Sequence, residues 1–251
     1  IGHVATTDLA EDGYRVVDLS FSKFTPDRDD EKAREYGSAI LWDVGIAPGL
    51  SNMFLAVADR RIGPLVKAEV WVGGNPQEPG GDGSNMAPFS PSDVIEEYTR
   101  PARIRRGGKI ITEAALSERH PVTVPGYGQM EAFLTDGVRS LLDTIDGDDL
   151  VEYTVRWPGH IQRYLDGNDS EEELIEAWKF DALRPEFTWL AVEVSATDGT
   201  RRWDVIDEGK SEWSSMARNT GLVTVEVAEI LAEGLIPDSG VSPPGRLGKD
   251  S

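Results

Sequence analysis

Cysteine is absent from the 251 residues, which excludes a disulfide framework, a thiolate nucleophile and a cysteine metal site. Lysine is nearly as scarce, with 7 lysines against 18 arginines. No apolar run approaches the roughly 20 residues that span a bilayer as a helix, and no Gly-x-Ser-x-Gly elbow is present to raise a serine nucleophile. Positive charge is in short supply throughout. A formal charge of −20 and a pI near 4.5 set the chain against nucleic acid and against anionic membrane surfaces, because phosphates are repelled. An acidic, lysine-poor surface suits a protein kept soluble in high salt, where repulsion is screened within about 3 Å at molar ionic strength. The competing reading is an ordinary acidic bacterial enzyme encoded by GC-rich DNA, which also favours arginine. A halophilic source and a cytoplasmic location are the resulting expectations. The aspartate-rich pieces Asp146-Gly147-Asp148-Asp149 and Asp166-Gly167-Asn168-Asp169 lack the calcium-loop pattern with its terminal glutamate and read as solvated turns, so no metal site is expected.

What is there, with 39% hydrophobic residues, is enough to bury a core in one large domain or two small ones. The most informative stretch is Asp43 to Asn52, which follows the apolar run Ala39-Ile40-Leu41-Trp42 and leads into an apolar helix beginning near Met53. A glycine- and proline-rich loop at the carboxyl end of a strand is where open α/β sheets hold ligands. Glycines let the backbone approach a ligand, Pro48 stiffens the loop, and Ser51 or Asn52 is placed to cap the helix and aim its N–H groups at an anion. A well-capped turn with no ligand has the same spacing.

Gly45-Ile46-Ala47-Pro48-Gly49-Leu50-Ser51-Asn52 resembles the corresponding loop of the saccharopine dehydrogenase family, particularly its lysine 6-dehydrogenase-like branch. Further segments follow in the family's order: Val16 to Phe21, Trp71 to Pro76, Glu97 to Ala102, Glu131 to Gly137, Arg156 to His160, Met216 to Gly221 and Gly240 to Pro244. The resemblance implies an NAD(P)-dependent oxidoreductase with a Rossmann-type domain. The implied reaction is oxidative deamination at the terminal amine of lysine, or the related reductive coupling of an amino acid to an aldehyde. The glycine-rich phosphate loop of that family, G-x-G-x-x-G, does not occur, and the chain begins with Ile1 inside what reads as the middle of a Rossmann domain, so a fragment is expected. A non-catalytic dimerisation or binding module lacking nucleotide binding is the alternative, and an acidic structural protein without a ligand is a weaker third.

Residues 1–50 read as the last units of a doubly wound sheet. Residues 51–213 read as an α+β substrate-binding and dimerisation domain with a mostly antiparallel sheet, and 214–251 as a helical segment returning towards the first part. Strands are expected at Arg15 to Phe21, Ala39 to Asp43, Val66 to Val72, Leu150 to Trp157, Phe187 to Ser195 and Arg202 to Asp207, the last two joined at the hairpin signal Asp198-Gly199. Gln129 to Ile145 shows helical spacing of Phe133, Leu141, Leu142 and Ile145. Asn75 to Ala87 reads as a loop or flap. Ser90 with Asp93 and Ser170 with Glu173 have capping-box spacing. Gly221 reads as a break in a helix from Ser214 to Gly234.

For the chemistry, His160 is the candidate general base because histidine titrates near neutrality. Asp136 is a candidate partner for a substrate ammonium, and Tyr98 a donor to a substrate oxygen. Arg156 and Arg100 are candidates for a substrate carboxylate, which arginine grips with two parallel hydrogen bonds, with Tyr127 a second hydroxyl donor. By the resemblance, Gly45, Ala47, Pro48, Gly49, Ser51 and Asn52 lie against the nicotinamide of NAD or NADP, the partner is a small amino acid, and the assembly is a homodimer or larger. Each residue also has a plain structural reading, as a salt-bridge partner, a cap or a packed ring.

Overall fold

Helix α1 (Gly2–Ala10) precedes strand β1 (Arg15–Val17), helix α2 (Asp30–Tyr36) and strand β2 (Ala39–Leu41), where apolar side chains alternate and both faces are buried. Ala39 and Leu41 point to one face, with Val44, and pack on Val227 and Leu231; Ile40 and Trp42 point to the other and pack on Ala10 and Ala33. This period-2 division is what a strand covered on both sides requires. The computed structural model describes residues 2–21, 24–80, 85–210, 212–236 and 239–246.

Helix α3 (Leu50–Ile62) leads to β3 (Leu65–Pro76), α4 (Pro91–Thr99) and the hairpins β4 (Ala102–Arg106) with β5 (Lys109–Glu113) and β6 (His120–Val124) with β7 (Gly128–Leu134). A short α5 (Leu141–Thr144), β8 (Asp149–Arg156), α6 (His160–Asp166) and α7 (Glu171–Ala177) follow. The chain closes with the hairpin β9 (Glu186–Ala196) and β10 (Gly199–Glu208), the long α8 (Ser215–Ala232) and β11 (Gly240–Ser242).

Two sheets result. The first has three strands in the order β1-β2-β11, all parallel, with β11 arriving from the far end of the chain to pair Gly240 with Ala39. The second has eight strands and runs β10-β9-β3-β8, after which β8 divides its outer edge between β4 and β7. Within it only β3 and β8 are parallel to each other; the remaining pairs are antiparallel. The fold is therefore α/β: a short Rossmann-type parallel sheet followed by an α+β unit with a mostly antiparallel sheet. Among the described residues no helix is long and apolar enough to cross a membrane.

Several local expectations change. Gln129 to Ile145 is not a helix: Phe133 and its neighbours form β7, and the apparent helical spacing comes from a strand followed by a turn and the four residues of α5. Strand β8 is buried on both faces: Val151, Tyr153 and Val155 lie in the large core with α3, and Glu152, Thr154 and Arg156 face α4 and the cleft between the sheets. Gly221 does not break α8, which runs through it; a Cβ there meets nothing. Ser90 caps α4 by position with Pro91 in the first turn, but its hydroxyl bonds to Ser92 and not to a backbone amide. The capping box at Ser170 and Glu173 forms in full. Of the expected flap, Asn75 and Pro76 belong to β3, and residues 81–84 lie outside the described residues.

Candidate active site

The loop after β2 folds back on itself. Gly45 N–H donates to Pro48 O at 3.0 Å, Leu50 N–H to Gly45 O at 2.9 Å and Ser51 N–H to Ile46 O at 3.1 Å, and the Ala47–Pro48 peptide bond is cis. Gly49, with φ of 138°, sits so close to the Gly45 backbone that a Cβ would overlap it, so only glycine serves. Asn52 accepts from Gly49 N–H at 3.0 Å and from the Ser51 hydroxyl at 3.1 Å. These bonds overturn the expectation of an anion at this helix end: the amides of Gly49, Leu50 and Ser51 are consumed inside the loop.

The same loop is bolted to the second sheet. Asn52 Nδ2 donates to Ser140 Oγ at 2.9 Å, and Arg139 Nε donates to Asp43 Oδ1 at 2.8 Å with both side chains fully buried. Burial pushes the Asp43 carboxyl up and the Arg139 guanidinium pulls against it. Asp43 and Arg139 both adopt positive φ, 58° and 43°, a sparsely populated conformation that marks a constrained junction.

Between the sheets lies a cleft of about 380 Å³. One wall is apolar: Leu19 and Phe21 beyond β1, Gly45 to Pro48 beyond β2, and Met216 from α8. The opposite wall comes from Gly73 and Gly74 of β3, Asp93 and Glu97 of α4, and Glu152, Thr154 and Arg156 of β8. The cleft stands at the carboxyl ends of β1 and β2, the position where open parallel sheets bind ligands.

Of the sequence candidates, Gly45, Ala47, Pro48 and Arg156 line the cleft. Gly49, Ser51 and Asn52 do not; they shape the loop from behind, with Ser51 and Asn52 wholly buried. Tyr98 and His160 form a buried chain behind Arg156: the guanidinium Nε donates to Tyr98 Oη at 3.1 Å, and that hydroxyl lies 3.0 Å from His160 Nε2. Tyr98 is packed edge-on among Phe133, Tyr164 and Trp178, and burial pushes its phenol up to about 12, so it stays protonated. His160, packed on Trp178, is 1% exposed and does not reach the cleft wall. Asp136 also lies off the cleft, its two oxygens gripped by the Arg103 backbone N–H and guanidinium at 2.9–3.1 Å. Arg100 pairs with Glu96 at 2.8 Å and lies over the Phe21 ring at 4.8 Å, at the edge of the cleft. Tyr127 is elsewhere, stacked on Phe187 with centroids 3.5 Å apart and donating to Glu208; burial and then that carboxylate raise its phenol.

Sequence reasoning missed the carboxylates. Asp93 and Glu97 are one helical turn apart on α4, so both reach the cleft. Glu97 accepts from Thr154 Oγ1 at 2.8 Å, and Thr154 in turn shares a hydrogen bond with Thr135. Glu152 interrupts the apolar run of β8, and that interruption is the signal that was available. Burial first, then the neighbouring Glu97, Asp43 and Asp136, push its carboxyl up to about 8. Among the described residues no group of three or more His, Asp or Glu side chains is arranged to hold a metal ion.

No family model matches the chain. Its fold is similar to that of apo saccharopine dehydrogenase (L-Glu forming) from Saccharomyces cerevisiae, with a TM-score of 0.69 at 14% identity over 92% of this chain and 74% of that one. An amine dehydrogenase from Mycobacterium smegmatis aligns over 99% of this chain and 72% of its own at 10% identity, with a TM-score of 0.42. The chain has a saccharopine dehydrogenase-like fold.

Proposed function

We propose that this chain is the part of an NAD(P)-dependent oxidoreductase that faces the nicotinamide and holds the substrate, acting on the amine of an amino acid such as lysine or saccharopine. The observation that carries the reading is the cleft itself: an apolar wall at the carboxyl ends of β1 and β2 opposed by a wall of carboxylates and one arginine. The residues present fit the nicotinamide end of such a cofactor. Leu19, Phe21, Ile46, Ala47 and Pro48 give a dry surface suited to a flat ring, and the tight turn from Gly45 to Gly49 keeps the backbone out of its space. When bound, the cofactor would accept or supply the hydride, which is chemistry that no side chain provides.

The protein's own contributions are positioning and charge. Arg156 presents a guanidinium to the cleft for a substrate carboxylate, oriented by Tyr98 and, behind it, His160. Asp93, Glu97 and Glu152 attract an ammonium group. Apolar walls exclude water from the reacting carbon, and water exclusion strengthens every electrostatic contact inside.

Calorimetric titration of the chain with NADH and NADPH in high salt tests the reading. Binding of either, and L-lysine-dependent growth of the reduced-cofactor absorbance when NAD+ or NADP+ is supplied instead as the hydride acceptor, is the expected outcome. A folded chain that binds neither dinucleotide overturns the reading in favour of a non-catalytic module.

A further inference from the structure

Four carboxylates line the cleft, and three of them have an ordinary explanation. Asp43 is paired with Arg139, Glu97 is held by Thr154, and Asp93 is exposed to water. Glu152 has none. It is 3% exposed, it lines the cleft, and its Oε2 has no hydrogen-bond partner among the described residues. A buried carboxyl oxygen left unpaired costs stability that a structural position has no reason to carry.

The groups around it deepen the contrast. From α4 it faces Glu97, from the loop after β2 Asp43, and from the loop after β7 Asp136 and Arg139, with Arg156 on its own strand. Arg139 is engaged by Asp43, Asp136 by Arg103, and Arg156 by Tyr98 and its own strand's carbonyl at Val155. Among the described residues no cation forms an ion pair with Glu152, and Arg139, whose charge opposes the rise in its pKa, is spent on Asp43. Gly137 fixes where the carboxyl points, since a Cβ on that glycine would occupy the space of Glu152 Oε1.

We propose that Glu152 receives the amine of the substrate and takes its proton. An N–H bond of the bound ammonium breaks as an O–H bond forms on the Glu152 carboxylate, leaving a neutral amine in the cleft. This rests on the amine-substrate reading given above, and it assigns to Glu152 the role that sequence alone gave to His160. The raised carboxyl pKa places the group near the range where a base is half-ionised at mildly alkaline pH. Below that range Glu152 is mostly protonated, so arrival of a cation expels a proton to solvent. Above it, the carboxylate is ready to accept one from the substrate.

The test is calorimetric titration of the whole chain with L-lysine in the presence of NADH, at pH 7 in two buffers of different ionisation heat. The wild type is expected to release close to one proton per lysine bound, as linkage requires of a group driven from protonated to ionised. Glu152→Gln is expected to release none and to bind lysine at least tenfold more weakly at pH 9. Gly137→Ala keeps every polar group and moves only the flexible end of Glu152, and it is expected to lose most of the proton release. Equal proton release and equal lysine affinity in the wild type and Glu152→Gln overturn the proposal, as does a wild type that binds no lysine. Separate titrations with NADH alone report on the cofactor reading. Wild type and Glu152→Gln that bind NADH alike while differing towards lysine support both readings; no NADH binding by either sinks the cofactor reading by itself.

Discussion

The strands of the parallel sheet are three residues long, whereas those of the mixed sheet reach 12 residues and carry ten-residue registers between β9 and β10. The small sheet holds its place through layers: α1 and α2 cover one face of β2 and α8 covers the other. The large sheet holds itself by long ladders and a continuous core from α3 to β9. A short parallel sheet has little to gain from its own backbone pairing, so its position relative to the large sheet rests on α8, which packs on both, on Ile46 and Leu50 packed into the large core, and on a few specific polar links at the cleft. The region that carries the Gly45 to Gly49 loop is thus the less self-sufficient of the two, and the charged wall of the cleft stands on the larger sheet.

Breaking the junction is expected to have the largest effect. Arg139→Ala leaves the Asp43 carboxylate buried without its partner and is expected to cost about 3–5 kcal/mol, read as a fall in urea midpoint. If the double variant Asp43→Ala with Arg139→Ala is no more stable than Arg139→Ala alone, the pair is not the junction described. Asn52→Ala removes the acceptor of Gly49 N–H and the donor to Ser140, and a loss of about 1–3 kcal/mol is expected. Hydrogen exchange should show the loss concentrated in 39–52, and uniform loosening of β3, β8 and β9 would count against a separable small sheet.

The large sheet is probed by pH. Glu152 has a folded pKa of about 8, above the ordinary glutamate value of 4.5, so between these values the native state binds more protons than the unfolded chain. Stability contributed by the protonated form is therefore full below about pH 4.5 and is lost as pH rises towards 8. Glu152→Gln is expected to remove a slope of about 1.4 kcal/mol per pH unit across that window, measured as the difference between the wild-type and variant stability curves. Parallel curves would show that the carboxyl is not held neutral. The smallest effect is expected at Gly221→Ala on the helix that touches both sheets, a gain of up to about 1 kcal/mol, because the added Cβ meets nothing and only helix propensity changes. A loss there would mean that α8 is bent at that glycine in solution.

Those elements whose cause is local could be read from the sequence. The Ser170 and Glu173 box, the Asp198-Gly199 turn and the loop from Gly45 to Asn52 all follow from neighbours within a few residues. The division into a parallel sheet and a mostly antiparallel one was also legible, because β2 runs into a glycine-rich loop and a helix while β9 and β10 meet at a tight turn. What escaped depends on distant pairing. Whether Phe133 lies in a helix or a strand is decided by β8, and the burial of Glu152 by elements on both sides of it. Asp136 and His160 stood in suggestive motifs, yet Arg103 and Tyr98 claim them from elsewhere in the chain. Glu97 and Asp93 had only helical spacing to recommend them, and an acidic chain offers many such pairs.

Strand β11 carries a consequence in time. Its partner β2 is made about 200 residues earlier on the ribosome, since Gly240 pairs with Ala39. At synthesis rates of roughly 5–20 residues per second, one side of β2 waits on the order of ten seconds or more for its neighbour, through the whole synthesis of the large sheet. The long, self-supporting sheet has time to form first, and the parallel sheet is completed only when the last strand slots in beside β2. A nascent chain halted just before Gly240 should therefore resist protease across 65–208 while remaining sensitive at 15–48, and release of the full chain should close that gap.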